Sequence, residues 1–384
     1  MTVSAHGQSR DMVHPIFQVL DNVALNYGFE LTYVHDGNLG GRRNELVVGF
    51  SPQWGTVDEQ RFENVAGQSG DLVADFETSA RNVGFFFEDQ FYLKSDFRLV
   101  LGGRADWSRR EFTDFFLADG DRSDEKTFNA FVPKLGFVWD ARPDAQVYGN
   151  ASRSYEPPLL LELTSFGAPE FLDLRAASAW QFEIGSRGTH GEHLSWDVAF
   201  YDAEIQDEIL NVNLRPFPGA PFTIPSYRNV DRSRHTGLEL GSVLSYADVA
   251  GDGSLLSWRT AYTWSRFRFL DEPVYADNEL PGAPRHLVRT ELRYDHGAGF
   301  WVAPNLDWSP TFYFVDSANT VTNDGYAVLN LKVGYDFRKF EAFFQATNLT
   351  DRNYSGSVQV DSEIGFFFEP SNGRSAFVGL RWKM

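Results

Sequence analysis

The stretch that decides the fold runs from Gly325 to Phe337 and reads G-Y-A-V-L-N-L-K-V-G-Y-D-F. Every odd position from Ala327 onward is apolar, whereas the even positions carry the polar residues Asn330, Lys332 and Asp336. Successive side chains of a β-strand point to opposite faces, so this pattern predicts a strand with one apolar and one polar face. The same period of two recurs in about fifteen segments between Ala24 and Met384, and no helical period is convincing.

These segments are about 9 to 11 residues long or slightly longer, which is the length that a tilted strand needs to cross a bilayer. Very short turns and long polar loops separate them in alternation. Only half of the residues of such a strand must be apolar, because the other half faces water. The sequence therefore predicts an all-β, transmembrane antiparallel β-barrel with long extracellular loops and short periplasmic turns.

The amino-acid composition supports the prediction of a β-barrel and excludes some classes of function. The 384 residues have a mean hydropathy of −0.34 although 16% are aromatic, which suits alternating strands better than apolar helices. Cysteine is absent, so the chain has neither disulfides nor thiolate metal sites. The formal net charge of −19 repels a polyanion, and we expect no nucleic acid partner.

The beginning of the chain shows no secretory signal, and we interpret residues 1–20 as the remnant of an extracellular loop. Residues 21–384 then form the barrel part. This interpretation gives an odd number of strands, about 15, whereas bacterial barrels have an even number, so we expect N-terminal strands to be absent from this sequence. Aromatic residues suited to interfacial girdles are Trp180, Trp196, Trp258, Tyr262, Trp264, Trp301 and Trp382.

Four stretches occur in a recognisable order. They are S-R-S-Y-E-P-P-L-L-L-E-L-T at Ser152–Thr164, R-H-T-G-L-E-L-G at Arg234–Gly241, L-P-G-A-P-R-H at Leu280–His286, and Tyr326–Tyr354, which contains N-L-K-V-G-Y and A-T-N-L-T-D-R-N-Y. Through these stretches the chain resembles the C-terminal part of TonB-dependent outer-membrane receptors, across nearly its whole length.

The resemblance implies a barrel of about 22 strands that is closed by an N-terminal plug in the full-length receptor. It implies uptake of a scarce large ligand, most readily a ferric siderophore or similar chelate, across the outer membrane of a Gram-negative bacterium. The implied partners are outer-membrane lipid, lipopolysaccharide and the ligand, with TonB acting only through an N-terminal region that this sequence lacks. No cofactor is expected.

Candidate ligand-binding residues are those at the ends of strands and in the long loops that face the outside. Exposed aromatic rings in loops are costly and often bind flat or apolar ligands. The candidates are Arg153, Tyr155, Phe217, Phe222, Tyr227, Phe366, Phe367 and Phe368.

Two motifs resemble metal sites but lack the required pattern. His190-Gly-Glu-His193 has no third ligand nearby and is interpreted as a solvated turn. The acidic stretch from Asp119 to Glu125 lacks the spacing of a calcium loop, and we interpret it as a charged surface loop. No nucleophile, base and orienting carboxylate form a recognisable set, so we expect neither a metal site nor an enzyme.

Two alternatives remain open at this point. A passive diffusion porin of about 14 to 16 strands would be complete in this chain and would conduct ions steadily. A soluble all-β carbohydrate-binding protein would use its aromatic side chains as stacking platforms and would need no detergent.

Overall fold

The computed structural model describes residues 1–164, 171–215, 218–337, 339–365 and 367–382, which are almost entirely β structure. Helical structure in this part of the chain consists of a 3-10 turn at Leu117–Asp119 and one helical turn, α1, at Leu160–Leu163. No helix in the described ranges is both long enough and apolar enough to span a membrane.

The principal strands are β1 (Thr2–Pro15), β2 (Gln18–Leu39), β3 (Arg42–Val65), β4 (Gln68–Lys94), β5 (Phe97–Asp114), β6 (Asp124–Arg142), β7 (Ala145–Glu156), β8 (Ala177–His190), β9 (Leu194–Leu214), β10 (Ile224–Ala247), β11 (Leu255–Phe269), β12 (His286–Asp295), β13 (Phe300–Ser309), β16 (Tyr326–Asp336), β17 (Phe340–Thr347) and β20 (Ser375–Trp382). Short loop strands are β14 (Tyr313–Phe314), β15 (Thr322–Asn323), β18 (Ser355–Val358) and β19 (Phe368–Pro370).

The principal strands form one sheet of 16 strands, in which each strand is hydrogen-bonded to its neighbours in sequence order. Neighbours run antiparallel, as in the pairs β2–β3 and β13–β16. The short strands form two separate sheets, β14–β15 and β18–β19. The predicted all-β antiparallel architecture is therefore confirmed.

The strand count corrects the sequence analysis. Residues 2–15 are not a loop remnant but the strand β1, which pairs with β2 from Val19 to Thr32, so the sheet has 16 strands and not an odd number. Period two is weak in β1 because both faces are polar and exposed. Its strand character comes from the backbone hydrogen bonds to β2, which the side-chain pattern does not reveal.

The chain divides into two compact units. Unit 1 comprises Met1–Phe137, Ala151–Trp180 and Gln206–Asp231, and unit 2 comprises Val138–Asn150, Gln181–Ile205 and Arg232–Met384.

Unit 1 shows two different faces on its long strands. In β5 the residues Leu99, Leu101, Ala105 and Trp107 point to one side, and Arg104, Asp106, Ser108 and Arg110 point to the other. We call these the apolar face and the polar face. A buried cluster of Ala74, Phe76 and Phe112 lies on the polar face near the long-loop end of β4 and β5.

Unit 2 repeats this division in the stretch that predicted it. Leu306, Pro304 and Val302 of β13 lie opposite Leu329, Leu331 and Val333 of β16, which forms an apolar face. On the polar face, Arg289 pairs with Asp307 at 3.2 Å, and Glu291 lies 3.7 Å from both Arg259 and Lys332. The prediction of one apolar and one polar face is correct here.

Trp301, one of the residues predicted for the interfacial girdles, does not lie on the apolar face. Trp301 is buried on the polar face of unit 2, opposite Gly334, with the guanidinium carbon of Arg293 4.3 Å from its ring centroid. The guanidinium of Arg293 and the small Gly334 allow the Trp301 ring to pack on the polar face. The sequence pattern did not distinguish this position from one that faces lipid. Trp180, Trp258 and Trp382 are at least half exposed, and their girdle position stays a prediction.

Candidate ligand-binding site

Two predicted ligand-binding residues, Arg153 and Tyr155, lie close together in unit 1. They occupy alternate positions at the end of β7, so their side chains share one face, and both are half-buried. The phenol of Tyr155 lies within electrostatic range of Arg153 and of Asp106 and Arg110 on the polar face of β5. Sequence reasoning found the β7 pair but missed Arg110.

Arg110 is a buried cation, with only 4% of its surface exposed. Its Nε donates to the carbonyl oxygen of Pro158 at 3.0 Å, and its Nη1 donates to Asn82 Oδ1 at 2.9 Å and to the Arg109 carbonyl at 3.1 Å. Every one of these acceptors is neutral, and no carboxylate of the described residues forms an ion pair with it. The positive charge of Arg110 is therefore not neutralised by any carboxylate of the described residues, and its electrostatic field extends to the surrounding groups.

The loop after β7 covers this region of the polar face. Leu163 of α1 is fully buried, and the amide of Leu159 donates to Glu162 Oε2 at 2.8 Å. Burial raises the pKa of the Glu162 carboxyl above its usual value. Phe171 lies 5.7 Å from the ring of Phe112, so the loop joins the buried aromatic cluster of the polar face.

Ionic contacts hold the far end of the same loop. Lys126 Nζ donates to the Leu172 carbonyl at 3.1 Å and to Asp173 Oδ1 at 2.7 Å. The hydrogen bond and charge of Lys126 hold the pKa of Asp173 below its usual value. Arg175 contacts Asp207 at 2.6 Å. The described parts of the loop are thus fixed at both ends.

Phe222 and Tyr227 lie in the same unit. The ring of Phe222 stacks on Phe17 with centroids 5.6 Å apart, and Tyr227 is a half-buried residue of β10. Phe17 escaped the sequence analysis because it lay in the stretch interpreted as a loop remnant. An apolar ring in an otherwise polar stretch could have marked Phe17 as a candidate contact residue. Phe217 lies outside the described residues.

Phe367 and Phe368 belong to unit 2, where their ring centroids are 6.2 Å apart. Phe368 lines a pocket of about 380 Å³ together with loop residues that include Asp324, Arg352, Asn353 and Tyr354. Phe366 lies outside the described residues.

A second concavity in unit 2, of about 580 Å³, lies on the polar face of the strands. Its lining includes Asp197, Arg259, Glu291, Asp307 and Lys332. Arg259 and Lys332 both pair with Glu291, and Asp307 pairs with Arg289, so this wall is polar without a strong net charge.

The motifs resembling metal sites have other contacts. His193 Nδ1 lies 3.0 Å from the Ser245 carbonyl, and its ring stacks on Tyr246. Asp119 pairs with Arg122 at 2.6 Å, and Glu125 pairs with Arg109. Within the described ranges, no three potential ligand side chains cluster so as to hold a metal ion.

Comparison with known proteins defines the class. The family model of the TonB dependent receptor-like β-barrel matches residues 5–349. The chain therefore belongs to the TonB-dependent receptor family and contributes the β-barrel part. The resemblance found in the sequence is confirmed.

Individual relatives are distant. The ferric-pyoverdine 358 receptor of Pseudomonas putida is 24% identical over 383 residues, covering 92% of this chain and 44% of that receptor. The unliganded ferric citrate transporter FecA has a similar structure, with a TM-score of 0.75 and 17% identity over 94% of this chain and 55% of FecA. The siderophore receptor PiuA from Acinetobacter baumannii also gives 0.75, at 15% identity over 95% and 57% of the two chains. The chain spans about half the length of these relatives.

Proposed function

We propose that this chain is the barrel part of an outer-membrane receptor that takes up a ferric siderophore or a similar large chelate, energised through TonB in the full-length protein. Family membership and the ferric-chelate receptors among its relatives support this proposal. The family consists of receptors, and no enzymatic activity is proposed. We propose outer-membrane lipid and lipopolysaccharide as the surroundings of the apolar face, because strands with one apolar and one polar face suit a barrel in a membrane.

The buried charge of Arg110 is the observation that carries the ligand assignment. A buried cation whose partners among the described residues are all neutral favours an anionic group nearby, and an anion in a partly desolvated site is attracted more strongly than in water. Arg153 and Tyr155 extend this site along the same face. We assign the chelate to this surface, with Phe222 and Tyr227 as further contacts.

Binding of ferric pyoverdine and ferric citrate to the refolded chain, and to the full-length receptor that contains it, tests the proposal by quenching of tryptophan fluorescence. Arg153→Ala is expected to raise the Kd at least tenfold, since a charge-assisted hydrogen bond is worth about 1.5–3 kcal/mol. Arg142→Ala is the matched control, because Arg142 is an exposed arginine that pairs with Asp144 in a short turn.

No binding of any ferric chelate by the full-length receptor, or equal affinity in Arg153→Ala, would overturn the assignment. A passive porin is the second candidate, because the sheet has an even number of strands within the range expected for one. Steady ion conductance of the chain in planar bilayers, without chelate binding, would favour the porin.

A further inference from the structure

The 380 Å³ pocket of unit 2 has a rigid frame. Two small sheets, β14–β15 and β18–β19, supply its walls. The side-chain amide of Asn323 joins them by donating to the Tyr313 hydroxyl at 2.7 Å and to the Ser355 carbonyl at 2.9 Å. Ser371 closes the other side, since its Oγ accepts from the amide of Gly356 at 2.9 Å. The walls are therefore positioned by hydrogen bonds within the loops.

Polar side chains of the lining have no partner within the described part of the chain. Thr322, Asp324, Arg352 and Asn353 all line the pocket, and their side chains make no hydrogen bond or ion pair there. Together they offer a hydroxyl, a carboxylate, a guanidinium and a carboxamide, which include donors and acceptors with planar geometry. One negative and one positive group leave the lining without net charge.

Aromatic rings complete the pocket. Phe368 is 45% exposed, although a phenyl ring is costly to leave in water. The ring of Tyr354 is braced by Tyr326, with centroids 4.7 Å apart. A flat apolar ring beside free planar hydrogen-bonding groups suits a ligand with one C–H-rich face and a rim of hydroxyl groups, since the face of an aromatic ring is electron-rich.

We infer that this pocket binds a small saccharide unit, with one sugar ring stacked on Phe368 and its hydroxyl groups hydrogen-bonded to Asp324, Arg352 and Asn353. The volume lies at the lower end of the range for small-ligand pockets, roughly 300–1,000 Å³. The saccharide could be free, or it could be the sugar portion of lipopolysaccharide. The inference does not depend on chelate transport, because it uses none of the residues assigned to the chelate in unit 1.

Saturation-transfer NMR on the refolded full chain tests this inference with three probes. The probes are a panel of free mono- and disaccharides, a lipid-free core oligosaccharide from lipopolysaccharide, and the zwitterionic dipeptide glycylglycine. Phe368→Ala and Asp324→Asn are each expected to weaken saccharide binding at least tenfold. Phe368→Trp keeps a stacking surface and should retain binding.

The matched controls are Phe115→Ala, which removes an exposed ring from another long loop, and Asp96→Asn, which changes an exposed aspartate in a short turn. Both should bind like the unchanged chain. Binding of free sugars identifies a free-saccharide site, and binding of the core oligosaccharide alone identifies lipopolysaccharide as the source. Absence of saccharide binding, equal binding by Phe368→Ala, or binding of glycylglycine alone would overturn the inference.

If the unchanged chain binds no saccharide while the full-length receptor binds a ferric chelate, this inference is rejected and the proposed function stands. The reverse result would reject the chelate assignment alone.

Discussion

The Nε atom of Arg110 in β5 donates a hydrogen bond of 3.0 Å to the carbonyl oxygen of Pro158, 48 residues further along the chain. This contact fixes the start of the loop after β7 to the polar face of the sheet. A hydrogen bond from a charged group contributes about 1.5–3 kcal/mol, so its loss should free that end of the loop.

We expect Arg110→Ala to raise hydrogen exchange at the amides of Leu163 and Leu172 about tenfold or more, since 1.4 kcal/mol corresponds to a factor of ten. The amide of Leu172 donates to the Leu163 carbonyl and the amide of Leu163 donates to the Leu159 carbonyl, so both amides report on the folded loop. Arg109→Ala is the control, because Arg109 points to the opposite face and pairs with acidic side chains. Equal protection in both variants would show that Arg110 does not hold the loop.

The other end of the loop should respond to pH. The hydrogen bond from Lys126 lowers the pKa of Asp173 in the folded protein, so the unfolded carboxyl takes up its proton at a higher pH. The ion pair therefore stabilises the loop above the unfolded pKa, about 3.9, and this contribution is lost as the pH falls through the lower folded value.

Protease cleavage of the loop, measured from pH 7 to pH 3, should increase at the acidic end in the unchanged chain. Asp173→Asn should weaken the loop at neutral pH and flatten this pH dependence, whereas Asp96→Asn should leave it in place. A steep pH dependence that persists in Asp173→Asn would assign the effect to another group.

Gly334 has no room for a side chain. A Cβ atom there would lie 2.4 Å from Cζ2 of Trp301, a buried ring whose centroid lies 4.3 Å from the guanidinium carbon of Arg293. Overpacking of this kind costs about 1–3 kcal/mol, so Gly334→Ala should lower the urea midpoint of the refolded chain in detergent.

Gly241→Ala provides the matched control on the polar face of β10, since its Cβ would approach nothing closer than 3.9 Å. That variant should unfold at an unchanged or higher urea concentration, because alanine loses less backbone entropy than glycine. Equal midpoints for the two variants would show that the Trp301 ring moves aside freely.

Cysteine scanning should separate the two faces of β16. The chain has no cysteine, so each substitution introduces a single thiol. In lipid vesicles, Leu331→Cys and Val333→Cys should react with a lipophilic maleimide, and Asn330→Cys and Lys332→Cys with a water-soluble one. Uniform labelling at all four positions would contradict the division into two faces.

Phe367→Ala should weaken ferric-chelate binding by the full-length receptor severalfold without lowering the yield of folded protein. The Phe367 ring is partly exposed in a loop, so its loss removes a ligand contact and little packing. Yield is measured by the heat-dependent shift of the folded band on a gel. Unchanged chelate titrations would show that Phe367 does not contact the chelate.

The sequence predicted the strands of unit 2 well, because period two is a local property that burial on one face imposes on every second residue. It failed for Thr2–Pro15, where pairing with β2 forms a strand without a clear apolar face. It also placed Trp301 wrongly, since the pattern gives the alternation but not the environment of an aromatic ring.

The candidate site was only partly predictable. Arg153 and Tyr155 stood at a recognisable strand end, whereas Arg110 resembled any polar-face arginine of β5. Its burial depends on Pro158 and the described residues of the loop that follows, and no acidic side chain among the described residues forms an ion pair with it. Contacts over such distances in sequence leave no local signature.

The sequence by itself determined the class of structure, the alternation of the two faces and the family. Both the side-chain period and the short motifs are local properties of single stretches of the chain. Only the tertiary structure decided that residues 2–15 join the sheet, that Arg110 is a buried cation, and that loop residues of unit 2 surround a polar pocket beside Phe368. These features depend on which distant segments meet, and the free energy of those contacts is set by burial and pairing that no local stretch encodes.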